Sequence, residues 1–338
     1  MLDNSIFSTV TSHQSNNYLH TINLRNSGVS SINSSTFWWG FDNTYKNSPI
    51  EIDLRGLKYD CVLEPYAFTT SIRPTTKSSL DASIYIDEES HIVEIKNNAF
   101  RNLRLRFEKD IYDPETGVLD LAKFKYLKKY SILNTLYSNG NNYADNTDIR
   151  FNFEGINKLI LGESIEEITD FISDNDSEIR KYDFSKTKVT TLSEYMYGVD
   201  EIILPHALER IEKRWLGYNT GNIKILDFPE TVNYIGYYAL EDQQVEILIF
   251  RNPKPATINF ENANRMSTRI GHMPQLKEIY VPDSAVENYK NNVIWGFQYS
   301  ISSDPEVEGN RSFKDIIYPL SAYYEKYGEE GWKPGMEV

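Results

Sequence analysis

The sequence contains a single cysteine, Cys61. That excludes an internal disulfide framework and any zinc site built on thiolates. Histidine is sparse too: His13, His20, His91, His206 and His272 are scattered without the spacing of a metal site. Positive charge is in short supply, with 35 Lys and Arg against 49 Asp and Glu and a formal net charge of −14. A duplex nucleic-acid binder carries a basic patch instead, so no nucleic-acid partner is expected. No apolar run approaches the roughly 18 residues that span a bilayer, and no membrane insertion is expected. The opening MLDNSIFSTVTSHQSNN has neither the basic n-region nor the apolar h-region of a secretion signal. Phosphate loops are missing: GYNTGN and GEEGWKPG lack the Gly-Lys-Ser/Thr context. There is no G-x-S-x-G elbow, and the acidic SDNDSE lacks the glycine and distal glutamate of a calcium loop. These absences nominate no catalytic, cofactor-binding or metal-ligating residue, and the chain is read as a non-enzyme without a cofactor.

What the sequence has is a repeat. The apolar residues Leu19, Ile22, Leu24, Val29, Ile32 and Phe37 recur with the same spacing as Ile179, Tyr182, Phe184, Val189, Leu192 and Tyr197. A version one residue tighter runs Val199, Ile202, Leu204, Leu208, Ile211, Leu216, and again Ile223, Leu226, Phe228, Val232, Ile235, Leu240. Ile156, Leu159, Leu161, Ile165 and Ile168 follow it as well. Partial copies lie at Ile52/Leu54, Ile84/Ile86, Val245/Leu248/Phe250 and Leu276/Ile279/Val281. Counting the first residue as zero, positions three and five alternate inward as in a strand. Proline follows at Pro205, Pro229 and Pro282, where it has no donor to continue a ladder and turns the chain. The next apolar residues sit three to five apart, a spacing that suits a helical turn or tight arc on the same core. Such a unit buries too little alone, so neighbours must stack.

The segments FPETVNYIGYYAL, HIVEIKNNAF and VLEPYAF resemble the BspA-like leucine-rich repeats. Pro229, Val232, Ile235, Gly236 and Ala239 carry the likeness in one copy, and Ile95, Ala99 and Phe100 in another. LKEIYVPDSAVENYKNNVIW resembles the segment that often closes such arrays, through Val281, Pro282, Val286, Tyr289 and Trp295. The resemblance implies an α/β solenoid: a leucine-rich-repeat array with short parallel strands on a concave face. It also implies adhesion or protein–protein contact, with a surface rather than a catalytic site.

Four regions follow from this reading: irregular repeats over 1–100, a helical insertion over 101–155, regular repeats with their closing segment over 156–300, and an aromatic C-terminal tail over 301–338. In the insertion, DLAKFKYLKKYSILNTLYSNG reads as a helix from an Asp120 N-cap to a Gly140 stop. The tail carries Phe313, Tyr318, Tyr323, Tyr324, Tyr327 and Trp332, and is expected to pack on the array or on a neighbour.

Positions two and four of each strand point away from the core. In the later repeats they are Ile203, Ile225, Ile247, Ile249 and Tyr280, an apolar patch broken by Asp227. Two readings stay open: the patch is a partner-binding face, or the tail or a nearby loop covers it. Trp38 and Trp39 form a second binding candidate, or pack against the loop 40–49. The expected partner is a protein. The role is that of an adhesin-like module at a cell surface, or a structural subunit of a larger particle such as a bacteriophage virion or tail. The ligand and the oligomeric state stay open.

Overall fold

A repeat of some twenty residues cannot bury its own apolar side chains, and the fold meets this by giving each repeat two short strands that join two separate ladders. In the computed structural model the residues described are 21–33, 50–65, 67, 81–96, 99, 104–106, 111–113, 115–131, 157–169, 179–193, 196, 198–216, 221–236, 238–240, 244–258, 273, 275–292, 295, 298–299 and 311–331. They fall into two compact units, Met1–Ile179 and Arg180–Val338.

In the first unit the leading strands Thr21–Asn23, Ile50–Asp53, Asp81–Tyr85 and Arg104–Arg106 form one parallel ladder. Its register sets Ile22, Ile52 and Ile84 in a column. The trailing strands Ser31–Ile32, Cys61–Leu63, Ile92–Ile95, Lys129–Ser131 and Glu167–Thr169 form the second ladder, also parallel. There Ile32, Leu63, Ile95, Tyr130 and Ile168 stand in register. Val118–Asp120 pairs in parallel with Lys158–Ile160, matching Leu119 to Leu159, and takes Tyr112–Asp113 as an antiparallel neighbour.

The second unit repeats the plan. Lys181–Asp183 pairs with Glu201–Ile203, matching Tyr182 to Ile202. Ile225–Phe228, Ile247–Phe250, Glu278–Val281 and Ile317–Pro319 form a four-stranded parallel ladder. Leu226, Leu248, Ile279 and Ile317 make its inward column, all essentially without exposure. The trailing strands Thr191–Leu192, Arg210–Ile211, Tyr234–Ile235 and Thr257–Ile258 form the other ladder. Parallel strands that follow one another at every repeat, with few helices, fit a repeat fold.

After Pro205 and Pro229 the spacing that suits a helical turn is a tight turn followed by a two-residue strand, whereas after Pro282 it is helical, Asp283–Ala285 leading into Val286–Lys290. Leu208 N–H donates to Pro205 O at 3.1 Å, and Arg210–Ile211 then joins the trailing ladder. Val232 N–H and Ala285 N–H close the same turn on Pro229 O and Pro282 O, at 3.1 and 2.7 Å. A turn and a short strand reach the core in the same number of residues as a helical turn, so apolar spacing alone does not separate them. The fold is therefore more β than the α/β reading expected. Among the described residues α-helix is confined to α1 (Val286–Lys290) and α2 (Leu320–Tyr327).

The helical insertion needs a second correction. Asp120 does cap a helical turn, accepting from Ala122 N–H at 2.9 Å, but that turn is a three-residue 3-10 helix, Leu121–Lys123. Lys129–Ser131 is then a trailing strand between Ile92–Ile95 and Glu167–Thr169. Leu119, Leu121, Phe124, Leu127 and Tyr130 are all buried. The repeat thus runs through 118–131 with a longer turn, which disguised its period. The rest of the expected helix, 132–140, lies outside the described residues.

After the trailing strand, Ala67, Ala99 and Ala239 close a second turn, their N–H groups donating to Glu64 O, Lys96 O and Gly236 O at 3.1, 3.2 and 3.2 Å. All three alanines are buried. The glycine in this motif is demanded by the neighbouring repeat. A Cβ on Gly236 would lie 2.3 Å from Lys213 N and 2.5 Å from Glu212 C. The core ends in aromatic packing, with Phe228 stacked on Phe250 at 4.9 Å and Trp295 edge-on to Phe250 at 4.6 Å. The Trp295 Nε1–H donates to Ala256 O at 3.2 Å, and the Tyr289 hydroxyl to Asn252 O at 2.9 Å.

Gly236→Ala should lower stability by about 1–3 kcal/mol through backbone overpacking. A urea midpoint for the full chain checks this, and an unchanged midpoint would mean that the neighbouring turn shifts without cost.

Candidate interaction face

Position four of each leading strand faces outward, and its identity follows from a backbone donor two residues later. Four repeats place Asn or Asp there. Asn23, Asp53, Asp120 and Asp183 accept from the N–H of Arg25, Arg55, Ala122 and Ser185, at 3.0, 3.1, 2.9 and 3.1 Å. Each closes an Asx turn, so its polarity is committed to its own chain. In three later repeats that next position is Pro205, Pro229 or Pro282, which has no N–H to satisfy. Position four then becomes Ile203, Asp227 or Tyr280. In the repeat carrying Ile249 the corresponding donor, Arg251 N–H, bonds instead to Phe228 O of the adjacent strand at 3.0 Å. Where the turn does not need it, the outward position is apolar at Ile203, Ile249 and Tyr280, while Asp227, equally free of turn duty, pairs with Arg251.

The apolar part of this face is largely covered. Helix α2 lies on it, and Ile247, Ile249 and Tyr280 are buried with Tyr323 and Tyr327 in one cluster. Ile225, Leu320, Ala322 and Tyr324 pack at its margin. Tyr323 meets Tyr280 edge-on at 5.0 Å and Tyr327 at 5.2 Å. Of the five aliphatic and aromatic candidates, Ile247, Ile249 and Tyr280 are thus closed off by the chain's own tail, the covering alternative that the sequence left open. Ile225 is half-buried, and Ile203 stays open at 41% exposure. Trp38 and Trp39 lie outside the described residues.

Four polar contacts fasten α2. Asp283 Oδ1 accepts from Ser321 N–H at 2.9 Å, in the first turn of the helix. Arg251 grips both oxygens of Asp227 at 2.8 and 2.7 Å and donates from Nη1 to the Tyr324 hydroxyl at 3.1 Å. At the far end Glu278 Oε2 accepts from the hydroxyls of Tyr280 and Tyr327, each at 2.9 Å, while Oε1 takes Lys326 Nζ at 2.6 Å. Burial, reinforced by Glu278, pushes the Tyr280 hydroxyl upward, so it stays a neutral donor. The hydrogen bonds of Asp227 push the Arg251 guanidinium further up. The sequence signal for this docking was the pair Tyr323 and Tyr327, one helical turn apart. Glu278 and Arg251 were missed because charges that pair with distant residues leave no local pattern.

Elsewhere on the face, charges are matched between repeats. Arg180 holds Asp200 at 2.6 Å, Lys181 reaches Glu201 at 3.3 Å, and Glu246 lies between Lys224 and Lys277. On the trailing ladder of the first unit Lys129 likewise meets Glu167 at 2.7 Å and Lys96 meets Glu64 at 2.8 Å. Cys61 takes no part in surface chemistry: it is buried, and desolvation pushes its thiol up to about 12.

Residues 148–246 match the BspA type leucine rich repeat region, in six copies. No curated protein matches the chain.

The Arg180–Asp200 pair gives a pH dependence with a definite sign. Hydrogen bonding to the guanidinium holds the Asp200 carboxyl below its ordinary value of 3.8. Its contribution is therefore complete above that value and lost as the pH falls through the lower folded pKa. Both groups are partly solvated, so screening limits the pair to at most about 1 kcal/mol. The urea midpoint of wild type should drop more steeply between neutral pH and pH ~3 than that of Asp200→Asn. Parallel curves for the two proteins would show that the pair contributes nothing.

Proposed function

We propose that this chain is a non-enzymatic leucine-rich-repeat protein that binds another protein through the outward face of its leading strands in the second unit. Leucine-rich repeats generally mediate protein–protein contact. The observation that carries the placement is Ile203. It stands at the outward position that Pro205 frees from turn duty, it is 41% exposed, and α2 does not cover it. The neighbouring charges support a contact of this kind because they are already paired with one another. A partner reaching Ile203 then meets an apolar centre with a neutralised polar rim, as in many non-obligate interfaces. The described residues contain no helix long and apolar enough to cross a membrane.

An adhesive role at a surface and a subunit role in a larger particle are both forms of this binding, and they differ in stoichiometry. An adhesin-like module works as a single copy, whereas a subunit self-associates or occupies a fixed number of sites.

Ile203→Lys should leave folding intact, because the side chain is outward and open. It should weaken retention of the partner from a native extract by tenfold or more, in keeping with loss of a central contact. Circular dichroism and quantitative mass spectrometry on the retained fraction check the two halves separately. Equal retention by wild type and variant, with both folded, would move the binding site elsewhere.

A further inference from the structure

The apolar outward face and α2 do not match in extent. Ile247, Ile249 and Tyr280 are fully covered, Ile225 lies at the margin, and Ile203 continues the same face beyond the helix. Sealing the end of the ladder does not require α2. That end is closed by the strand Ile317–Pro319, whose proline lacks the donor another strand would use. Earlier repeats put Asn23, Asp53, Asp120 and Asp183 at the matching outward position, so this face does not have to be apolar for the fold to form. Helix α2 spans only eight residues, Leu320–Tyr327. A helix that short is not stable alone and owes its form to the surface beneath it. Beside the burial of Tyr323 and Tyr327, its polar fastening is Tyr324 on Arg251, Tyr327 and Lys326 on Glu278, and the amide of Ser321 on Asp283. Tyrosine anchors of this kind bury a ring while the hydroxyl keeps a hydrogen-bond partner, a combination enriched at interfaces.

We propose that the surface made by Ile225, Ile247, Ile249 and Tyr280 is a helix-binding groove that α2 holds shut in cis. Its partner is a short amphipathic helix with tyrosines four residues apart and a basic residue beside the second. The cis occupant defines that chemistry: Tyr323 and Tyr327 fill the groove, and Lys326 meets Glu278. The incoming helix replaces α2 and extends onto Ile203, which α2 leaves open. Exchange joins the open and covered apolar positions of four neighbouring repeats on one face, around the paired Asp227 and Arg251. This inference rests on the protein-binding reading above and adds the partner's form and the device that guards the site.

The test uses the full chain and a fluorescent synthetic peptide of residues 319–331. In the variant Tyr323→Ala/Tyr327→Ala the cis helix is loosened while the groove residues are untouched. That variant should bind the peptide at least tenfold more tightly than wild type by anisotropy, and adding Ile249→Glu should abolish the gain. Equal, weak binding by variant and wild type overturns the proposal. So does loss of the strand signal in the variant, because α2 would then be part of the structural core. Hydrogen exchange on the unmutated chain gives an independent reading. Amides of Tyr324–Gly328 should exchange at least tenfold faster than those of Leu248–Phe250, and matching rates would mark α2 as a permanent element. If the peptide fails while Ile203→Lys still loses the partner, the groove falls and the binding reading stands. If the peptide binds and Ile203→Lys changes nothing, the groove stands and the placement at Ile203 falls.

Discussion

One backbone amide per repeat organises this protein. Just past a leading strand the chain turns toward its trailing strand, and the N–H there leaves the ladder in most repeats, Arg251 keeping its bond to Phe228 O. A buried or half-buried N–H without an acceptor is costly. Asn23, Asp53, Asp120 and Asp183 answer with a side chain, while Pro205, Pro229 and Pro282 remove the donor. The choice decides whether the outward position two residues earlier is tied to the turn. Ile203 and Tyr280 use that freedom as apolar groups, and Asp227 uses it to pair with Arg251.

The inward side obeys a different and less permissive rule. Leu226, Leu248, Ile279 and Ile317 stand one above another with almost no exposure, and the trailing column Leu192, Ile211 and Ile235 is as dry. Parallel pairing at strand spacing brings the same position of every repeat into contact, so each copy is packed by its neighbours. Gly236 and Gly221 show how close the successive turns run. A Cβ on Gly221 would lie 1.9 Å from Val199 O. Packing of that kind tolerates little change in volume and explains why small residues recur at fixed places in the turns.

Parts of the sequence reading failed for one shared reason. Periodicity reports distances between apolar residues, and a turn plus a two-residue strand reproduces the spacing of a helical turn. The stretch from Asp120 to Gly140 reads as helix because a three-residue 3-10 turn lengthens the repeat over 118–131 and puts Leu121, Phe124 and Leu127 three apart. Asp120 was recognised as a cap, but the chain uses the cap for one turn and then returns to the ladder. Local chemistry was legible there, and its extent was not.

By itself the sequence determined the repeat, the inward columns and the turns at proline. All of these follow from side chains a few residues apart, whose preferences survive in any context that stacks the copies. Only the tertiary structure decided what the outward apolar residues do. The strands that carry Ile249 and Tyr280 are separated from Tyr323 and Tyr327 by long stretches of chain, and nothing local distinguishes an isoleucine awaiting a partner from one awaiting its own tail. The cover forms because α2 gains its helical shape and loses its wet aromatic surface in one step, an energy that belongs to the contact and to neither segment alone.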